Sequence, residues 1–378
     1  MKIVFTGGGT AGHIFPIVAI VRELKKVSSD KNLKLFYLGP NDGYALELLE
    51  KEGVKIKKIL AGKFRRYFSL KTLLDVFKIP IGIIQAFLWF FFSAPDLVFS
   101  KGGYGSFPAV LAAYILRIPI FLHESDIVPG LASKIESKWA IEVFISFKET
   151  QDLFSREKTI HVGNPIRKEV TEGSKERAKE IFELKADKPL ILILGGSQGA
   201  QKINNMILEI LQKMLLSFEI IHQTGIRNFI QVKKESNVIL DKKIAEYYHA
   251  FASLNELQLK HSLGAADIIV SRAGSGSLFE IAANKKPAIL IPLPHSSQNH
   301  QLKNAYSFAE KGGVEVMEEE NLTPHFFLEK LKYYLSRQDI LDQMAKNSSL
   351  SAKPRAANVI AFYLSEYIFL WLNSKRKK

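Results

Sequence analysis

The residues able to do chemistry in this chain cluster in glycine-rich turns. His13 closes the turn Gly7-Gly8-Gly9-Thr10-Ala11-Gly12-His13, which follows an apolar run and precedes a helical pattern. Glycines let a ligand approach the backbone closely, and a helix start offers N–H groups to an anion. An imidazole placed there is well set for proton transfer. The turn lacks the GxxxxGK[ST] form that cradles a nucleoside triphosphate. The loop SKGGYGSFP (100–108) and the segment His123-Glu124-Ser125-Asp126 each follow an apolar run. The His and carboxylates of the latter are acid/base or hydroxyl-binding groups, or else a polar cap that satisfies a loop. Further along, GGSQGA (195–200) combines backbone N–H groups, the Ser197 hydroxyl and a following helix, which suits a pyrophosphate. In SRAGSGSLFE (271–280), Glu280 falls early in a helix, where a carboxylate either accepts from a ribose diol or offsets the helix dipole. HSSQNHQ (295–301) supplies amides and imidazoles of the kind that read hydroxyls.

These turns need a scaffold that presents them together. Residues 2–6, 34–38, 96–100 and 119–123 read as buried strands, with helical patterns over 16–26 and 44–52 between them. The alternation pauses near Gly163-Asn164-Pro165 and restarts with runs at 190–194, 219–223, 268–271 and 288–292. Strand, glycine-rich loop and helix thus open both halves. The expectation is an α/β protein of two doubly wound, Rossmann-like domains, with the ligand outside the carboxyl ends of the strands and in a cleft between the domains.

Composition agrees and narrows the partners. At 378 residues the chain is too long for one ordinary core. With no cysteine it has no thiol nucleophile, disulfide or Cys-ligated metal, and without HExxH or Asp-x-Asp no metal and no cofactor are expected. A net charge of +14 asks for an acidic partner: nucleic acid, an anionic membrane or a phosphorylated substrate. No helix-turn-helix, zinc finger or RNP pattern supports nucleic acid. The N-terminus reads as a strand rather than a signal peptide. Residues 79–95 (IPIGIIQAFLWFFFSAP) carry no charge but are too short, and too broken by Pro80, Gly82 and Pro95, for a spanning helix. Preceded by Lys63, Arg65, Arg66, Lys71 and Lys78, they fit a helix lying on an anionic membrane surface, with Trp89, Phe90 and Phe91 in contact. The aromatic and basic C-terminus repeats that theme.

In their order, GGGTAGH, SKGGYGSFPAVLAA, HESDIVPGLASK, VGNPIR, GGSQGAQKIN, SRAGSGSLFEIAA and HQLKNA resemble the MurG family. Its members are UDP-N-acetylglucosamine–N-acetylmuramyl-(pentapeptide) pyrophosphoryl-undecaprenol N-acetylglucosamine transferases. The resemblance implies the GT-B glycosyltransferase fold, with an acceptor- and membrane-facing domain over 1–163, a UDP-sugar domain over 164–354, and a last helix, about 355–378, that packs back on the first. It implies inverting transfer from UDP-N-acetylglucosamine to the muramyl C4 hydroxyl of lipid I, giving lipid II, on the cytoplasmic face of the bacterial inner membrane. His13 is then the candidate base. Thr10, Ala11, Gly12, Asp126, Arg167, Ser197, Ala252, Ser277, Glu280 and Gln301 are the donor-binding set, with the Phe251–Ala252 backbone framing the uracil. Gly103, Tyr104, Ser106, His123 and Glu124 are expected to face the acceptor. Two departures stand out: HESD replaces the family's HEQN, exchanging an amide for the Asp126 carboxylate, and Ala11 replaces a glycine. A UDP-N-acetylglucosamine 2-epimerase-like isomerase of the same fold is the alternative.

Overall fold

A computed structural model of the chain describes all residues except 9–10, 29, 31, 42–43, 63–69, 197–198 and 377–378. It divides into two compact units, residues 1–167 joined by those from 353 on, and residues 168–352. In unit 1 the strands are β1 (Lys2–Thr6), β2 (Lys34–Gly39), β3 (Lys55–Lys58), β4 (Leu97–Ser100), β5 (Ile120–Glu124), β6 (Glu142–Ile145) and β7 (Thr159–His161). Its helices are α1 (Ala11–Val27), α2 (Tyr44–Lys51), α3 (Leu70–Ser93), α4 (Phe107–Ile115) and α5 (Leu131–Glu136). Unit 2 runs through α6 (Lys175–Phe182), β8 (Leu190–Leu194), α7 (Gln201–Leu215), β9 (Glu219–Gln223), α8 (Phe229–Ile239), α9 (Lys242–Ala245), β10 (Tyr248–Phe251), α10 (Glu256–Ala265) and β11 (Ile268–Ser271). It continues with α11 (Ser275–Ala283), β12 (Ala288–Leu290), α12 (His300–Ala309), β13 (Val314–Val316), α13 (Pro324–Leu335) and α14 (Gln338–Ser349). The last helix, α15 (Ala356–Arg376), belongs to unit 1.

Among the described residues both sheets are wholly parallel, in the orders β3-β2-β1-β4-β5-β6-β7 and β10-β9-β8-β11-β12-β13. Strand order reverses between β1 and β4 in the first and between β8 and β11 in the second. The loops that leave these strand pairs diverge to opposite faces, and the gap between them is where doubly wound sheets bind ligands. Strand composition follows position. β8 is Leu-Ile-Leu-Ile-Leu and wholly buried, as a central parallel strand covered on both faces must be. β3, Lys-Ile-Lys-Lys, lies at a sheet edge, where lysines discourage further strand pairing.

Each face of the unit 1 sheet has its own core. Ile3 and Phe5 pack with α1, α2 and α15, whereas Val4 packs with Ala86 and Phe90 of α3 and with α4. α15 lies along α1 and buries Ile360, Ala361, Leu364 and Ile368. Tyr363 adds a hydrogen bond of 3.0 Å from its hydroxyl to Glu142 Oε1 and sets its ring edge-on to Phe144. Two expectations need correction. The first helix starts at Ala11 rather than Pro16, so the proline sits inside it and supplies no N–H to the Gly12 carbonyl. Arg167, expected beyond the domain boundary, falls in unit 1, where its guanidinium stacks 4.4 Å from the Phe15 ring centroid. Because α15 completes the unit 1 core, Leu364→Ala should cost about 2–5 kcal/mol. The check is a lower denaturant midpoint at unchanged m-value.

Candidate active site

In unit 1 the switch point is lined by the turn after β1 and the loop after β4. The two touch through backbone, where Lys101 N–H donates to Thr6 O at 2.8 Å. From β2 the Tyr37 hydroxyl donates to Gly7 O at 2.7 Å and braces the first turn. Gly103 has φ near +85°, and a Cβ there would lie 2.8 Å from Gly8 O and 3.1 Å from His13 Nε2. Only glycine lets the loop take this left-handed turn and lie flat against the imidazole. His13 is half-buried in the first turn of α1. Loss of water around the ring, and then the Lys101 charge, bring its pKa down to about 4, against the opposing pull of Asp126. It is therefore a neutral imidazole near pH 7, able to take up a proton.

Beneath the loops lies a buried polar layer. Lys101 is 3% exposed; its Nζ contacts His123 Nδ1 at 2.6 Å and donates to Ser125 Oγ. The other His123 nitrogen, Nε2, lies 3.0 Å from Gly163 O, which can only accept. The proton is thus on Nε2, and Nδ1 accepts from Lys101. Burial brings the Lys101 ammonium down to about 7, with Glu124 and Asp126 resisting. Burial, then the Lys101 charge, hold His123 well below its ordinary value. Glu124 accepts from Asp126 N–H at 3.0 Å and Gly130 N–H at 3.3 Å, and so closes the loop between them. Its pKa is raised by burial and then by Asp126. Glu136 of α5, wholly buried, meets the hydroxyls of Ser100 and Ser106.

The expected acceptor residues differ in exposure. Gly103 and the half-buried Tyr104 lie in the loop, whereas Ser106, His123 and Glu124 are buried and hydrogen-bonded to protein partners, which hold the loops in place. Lys101 and Glu136 were not singled out from the sequence. The available signal was an ionic residue on an inward phase: Ser133, Glu136 and Ala140 are all buried, at helical spacing.

In unit 2 the donor-side candidates stand at the carboxyl ends of β8, β10, β11 and β12. Gly195 N–H bonds Gln223 O at 3.1 Å and Gly199 turns with φ near +81°, leading into α7. Ala252 follows β10, where Phe251 O accepts both the N–H and the hydroxyl of Thr224, at 2.9 and 3.2 Å. Gly274 caps α11, with Ser277 in its first turn and Glu280 half-buried one turn on. The Arg272 guanidinium ties Ile291 O and Pro292 O, each at 3.1 Å, to Glu319. Gln301 Oε1 accepts from Leu293 N–H at 3.0 Å, which fixes the turn after β12. Ala11 and Gly12 open α1, and Asp126 belongs to the loop after β5. Thr10 and Ser197 lie outside the described residues, as do Lys63, Arg65 and Arg66.

Comparison with known proteins separates the fold from the chemistry. Residues 3–145 match the model of the glycosyltransferase family 28 N-terminal domain, and residues 190–360 that of its C-terminal domain. A UDP-N-acetylglucosamine–N-acetylmuramyl-(pentapeptide) pyrophosphoryl-undecaprenol N-acetylglucosamine transferase of Clostridium tetani is 39% identical over 350 residues, 92% of this chain and 94% of the relative. The chain belongs to the MurG family. The crystal structure of Acinetobacter baumannii MurG superimposes with a TM-score of 0.71, at 24% identity over 96% of this chain and 99% of the other. This is the GT-B fold. A UDP-GlcNAc 2-epimerase from Neisseria meningitidis, bound to UDP-GlcNAc, gives a TM-score of 0.68 at 16% identity, over 97% of this chain and 100% of the other. Fold alone therefore does not choose between transferase and epimerase; sequence identity does.

Within this MurG-family chain, the charge of Lys101 is one of the forces that hold the His13 imidazole neutral. Lys101→Met should move the His13 titration upward, as followed by the ring-proton shifts in NMR. An unmoved titration would remove Lys101 from the electrostatics of His13.

Proposed function

We propose that this chain transfers N-acetylglucosamine, with inversion, from UDP-N-acetylglucosamine to the muramyl C4 hydroxyl of lipid I, giving lipid II. The likeness along nearly the whole chain to relatives that carry this activity in their names is the observation that carries the reading. Unit 1 takes the acceptor and unit 2 the donor. The C4 oxygen attacks the anomeric carbon, the bond to the diphosphate breaks, and UDP leaves with its electron pair. His13 accepts the hydroxyl proton. Its free-enzyme pKa of about 4 makes it a weak base until the anionic diphosphates arrive and strengthen it. N–H groups at the starts of α7 and α11 suit the departing diphosphate, and Glu280 suits the ribose diol.

The decisive assay is UDP release with and without a lipid I analogue. Release that requires the acceptor supports the transferase, whereas acceptor-independent formation of an epimerised sugar would favour the isomerase. His13→Ala should lower kcat by on the order of 10²–10⁴-fold with little change in donor KM. For the intact enzyme, the acid limb of kcat/KM should fall near pH 4, and that of kcat at higher pH, because the bound substrates are anions. An unchanged kcat in His13→Ala would remove it as the base.

The acceptor is a membrane lipid, and α3 carries a matching surface. Phe77, Ile81, Ile84, Leu88 and Phe91 recur on one exposed stripe, with Phe92 beside it at 82% exposure. Exposed Lys57 and Lys58 lead to Leu60, whose N–H bonds Gln85 of α3 at 2.9 Å, so positive charge borders the stripe. The face suits an interfacial helix on anionic lipid. No helix among the described residues is long and apolar enough to cross a membrane. The sequence expectation is corrected within this helix. Phe90 is 1% exposed in the core, whereas Phe91 faces outward and the half-buried Trp89 sets its ring edge-on to Phe36 at 5.2 Å. Leu88→Ser, Phe91→Ser and Phe92→Ser should each weaken binding to anionic vesicles by roughly 1–2 kcal/mol without altering the unfolding midpoint. Phe90→Ser should instead destabilise the fold, by at least about 3 kcal/mol.

A further inference from the structure

Glu124 and Glu136 are both buried in unit 1. Glu124 accepts from two backbone N–H groups, donors that cannot reverse, and is also bonded by the Ser133 side chain. Glu136 meets two hydroxyls, which can either donate or accept. Ser100 Oγ receives Gly102 N–H at 3.0 Å, so its own proton goes to Glu136 Oε2 at 2.6 Å. Ser106 has one proton and two neighbours, Gly103 O at 2.8 Å and Glu136 Oε1 at 2.5 Å. Gly103 O is an acceptor only, and its other donor, Ser106 N–H, reaches it at a long 3.3 Å. Every position is satisfied if Ser106 donates to Gly103 O and Oε1 carries a proton that it donates to Ser106.

We infer that Glu136 is a positioning residue for the transfer reaction: held as a neutral acid between Ser100 and Ser106, it fixes the Gly102–Gly103 turn against the His13 ring. The path is short. Ser100 holds Gly102 N–H, Ser106 holds Gly103 O, and Gly103 lies against His13 Nε2. α5 presses on the same turn, since a Cβ on Gly102 would stand 2.5 Å from Ser133 Oγ. Burial opposes the ionisation of Glu136 more strongly than the Ser100 and Ser106 hydroxyls favour it. Glu124 at the end of β5 repels a second negative charge, and Lys101 is already committed to His123 and Ser125. Packed α4 brings only the Tyr114 phenol, stacked on Trp139, while Lys134 and Lys138 of the α5 segment face solvent. If Glu136 ionises, Ser106 turns its proton to the carboxylate, and Gly103 O loses its short hydrogen bond.

The catalytic consequence rests on the proposed role of His13; the protonation state does not, and the two are tested separately. Infrared difference spectra of wild type against Glu136→Gln at pH 6 should show the carbonyl band of a protonated acid lost in the variant; no such band overturns the inference. Burial pushes Glu136 up to about 7. Wild type should therefore lose stability relative to Glu136→Gln as pH rises from the unfolded carboxyl value of 4.5 to about 7, with a constant gap above that. A pH-independent gap overturns it. Glutamine supplies the same donor and acceptor without a titration, so Glu136→Gln should keep kcat within about three-fold of wild type at pH 6, and the ratio of its kcat to wild type should climb through pH 7. Glu136→Ala should lose kcat by on the order of 10–100-fold with donor KM nearly unchanged. A flat ratio, or an unaffected Glu136→Ala, overturns the positioning role. Should Glu136→Ala not fold, the glutamine variant still decides. If His13→Ala proves fully active while the infrared band and the stability gap appear, the acid stands and the assignment of the base falls.

Discussion

An ammonium group removed from water must be surrounded by acceptors, and much of the loop geometry in unit 1 follows from placing the Lys101 side chain at the buried end of β4. His123 must turn Nδ1 toward it, which commits Nε2 to Gly163 O and ties β5 to the segment that leaves β7. Glu124 and Asp126 supply compensating negative charge, and Glu124 closes the 126–130 loop with its two oxygens. The same cation repels a proton from His13. One charge thus couples the tautomer of a histidine, the shape of two loops and the proton affinity of a third group, all at low local dielectric, where such terms are strong.

Unit 2 brings chiefly backbone to its candidate site. Its glycine turns and helix starts present N–H groups, and its side chains tie strand ends together. Arg272 spans β11 to the exit of β12, Gln301 fixes the turn at Leu293, and Thr224 holds Phe251 O. The contrast matches the division of labour proposed above. A diphosphate leaving group is stabilised by fixed dipoles, whereas a proton acceptor needs a tuned local charge.

The parallel sheets were legible because their strands are short apolar runs between helical patterns. β8, β9 and β11 have the bounds expected from sequence, residue for residue. The start of α1 was not, since Pro16 resembles a first-turn proline and the tertiary fold carries the helix past it. The aromatic run in α3 was visible, but four neighbouring rings do not show their own rotation. Helical phase sets it: Gly82, Ala86 and Phe90 turn inward, while Ile81, Ile84, Leu88 and Phe91 turn out. The glycine turns and His13 were recognisable by type and spacing. Lys101 and Glu136 were not, because a sequence does not say which polar residues of a loop or short helix point inward. That choice is made by partners far along the chain, such as Ser100 and Ser106 for Glu136.

The packing of α15 on α1 also bears on how the protein is made. A ribosome delivers β1 and α1 first and α15 last, so unit 2 is an insertion within unit 1. Unit 2 has every strand and helix of its core in hand before the C-terminal helix emerges. Unit 1, in contrast, leaves the α1 groove open through most of translation, awaiting Ile360, Leu364 and Ile368. Its completion is therefore a late step, and the apolar surface left uncovered in that interval is what a nascent chain must shield from its neighbours.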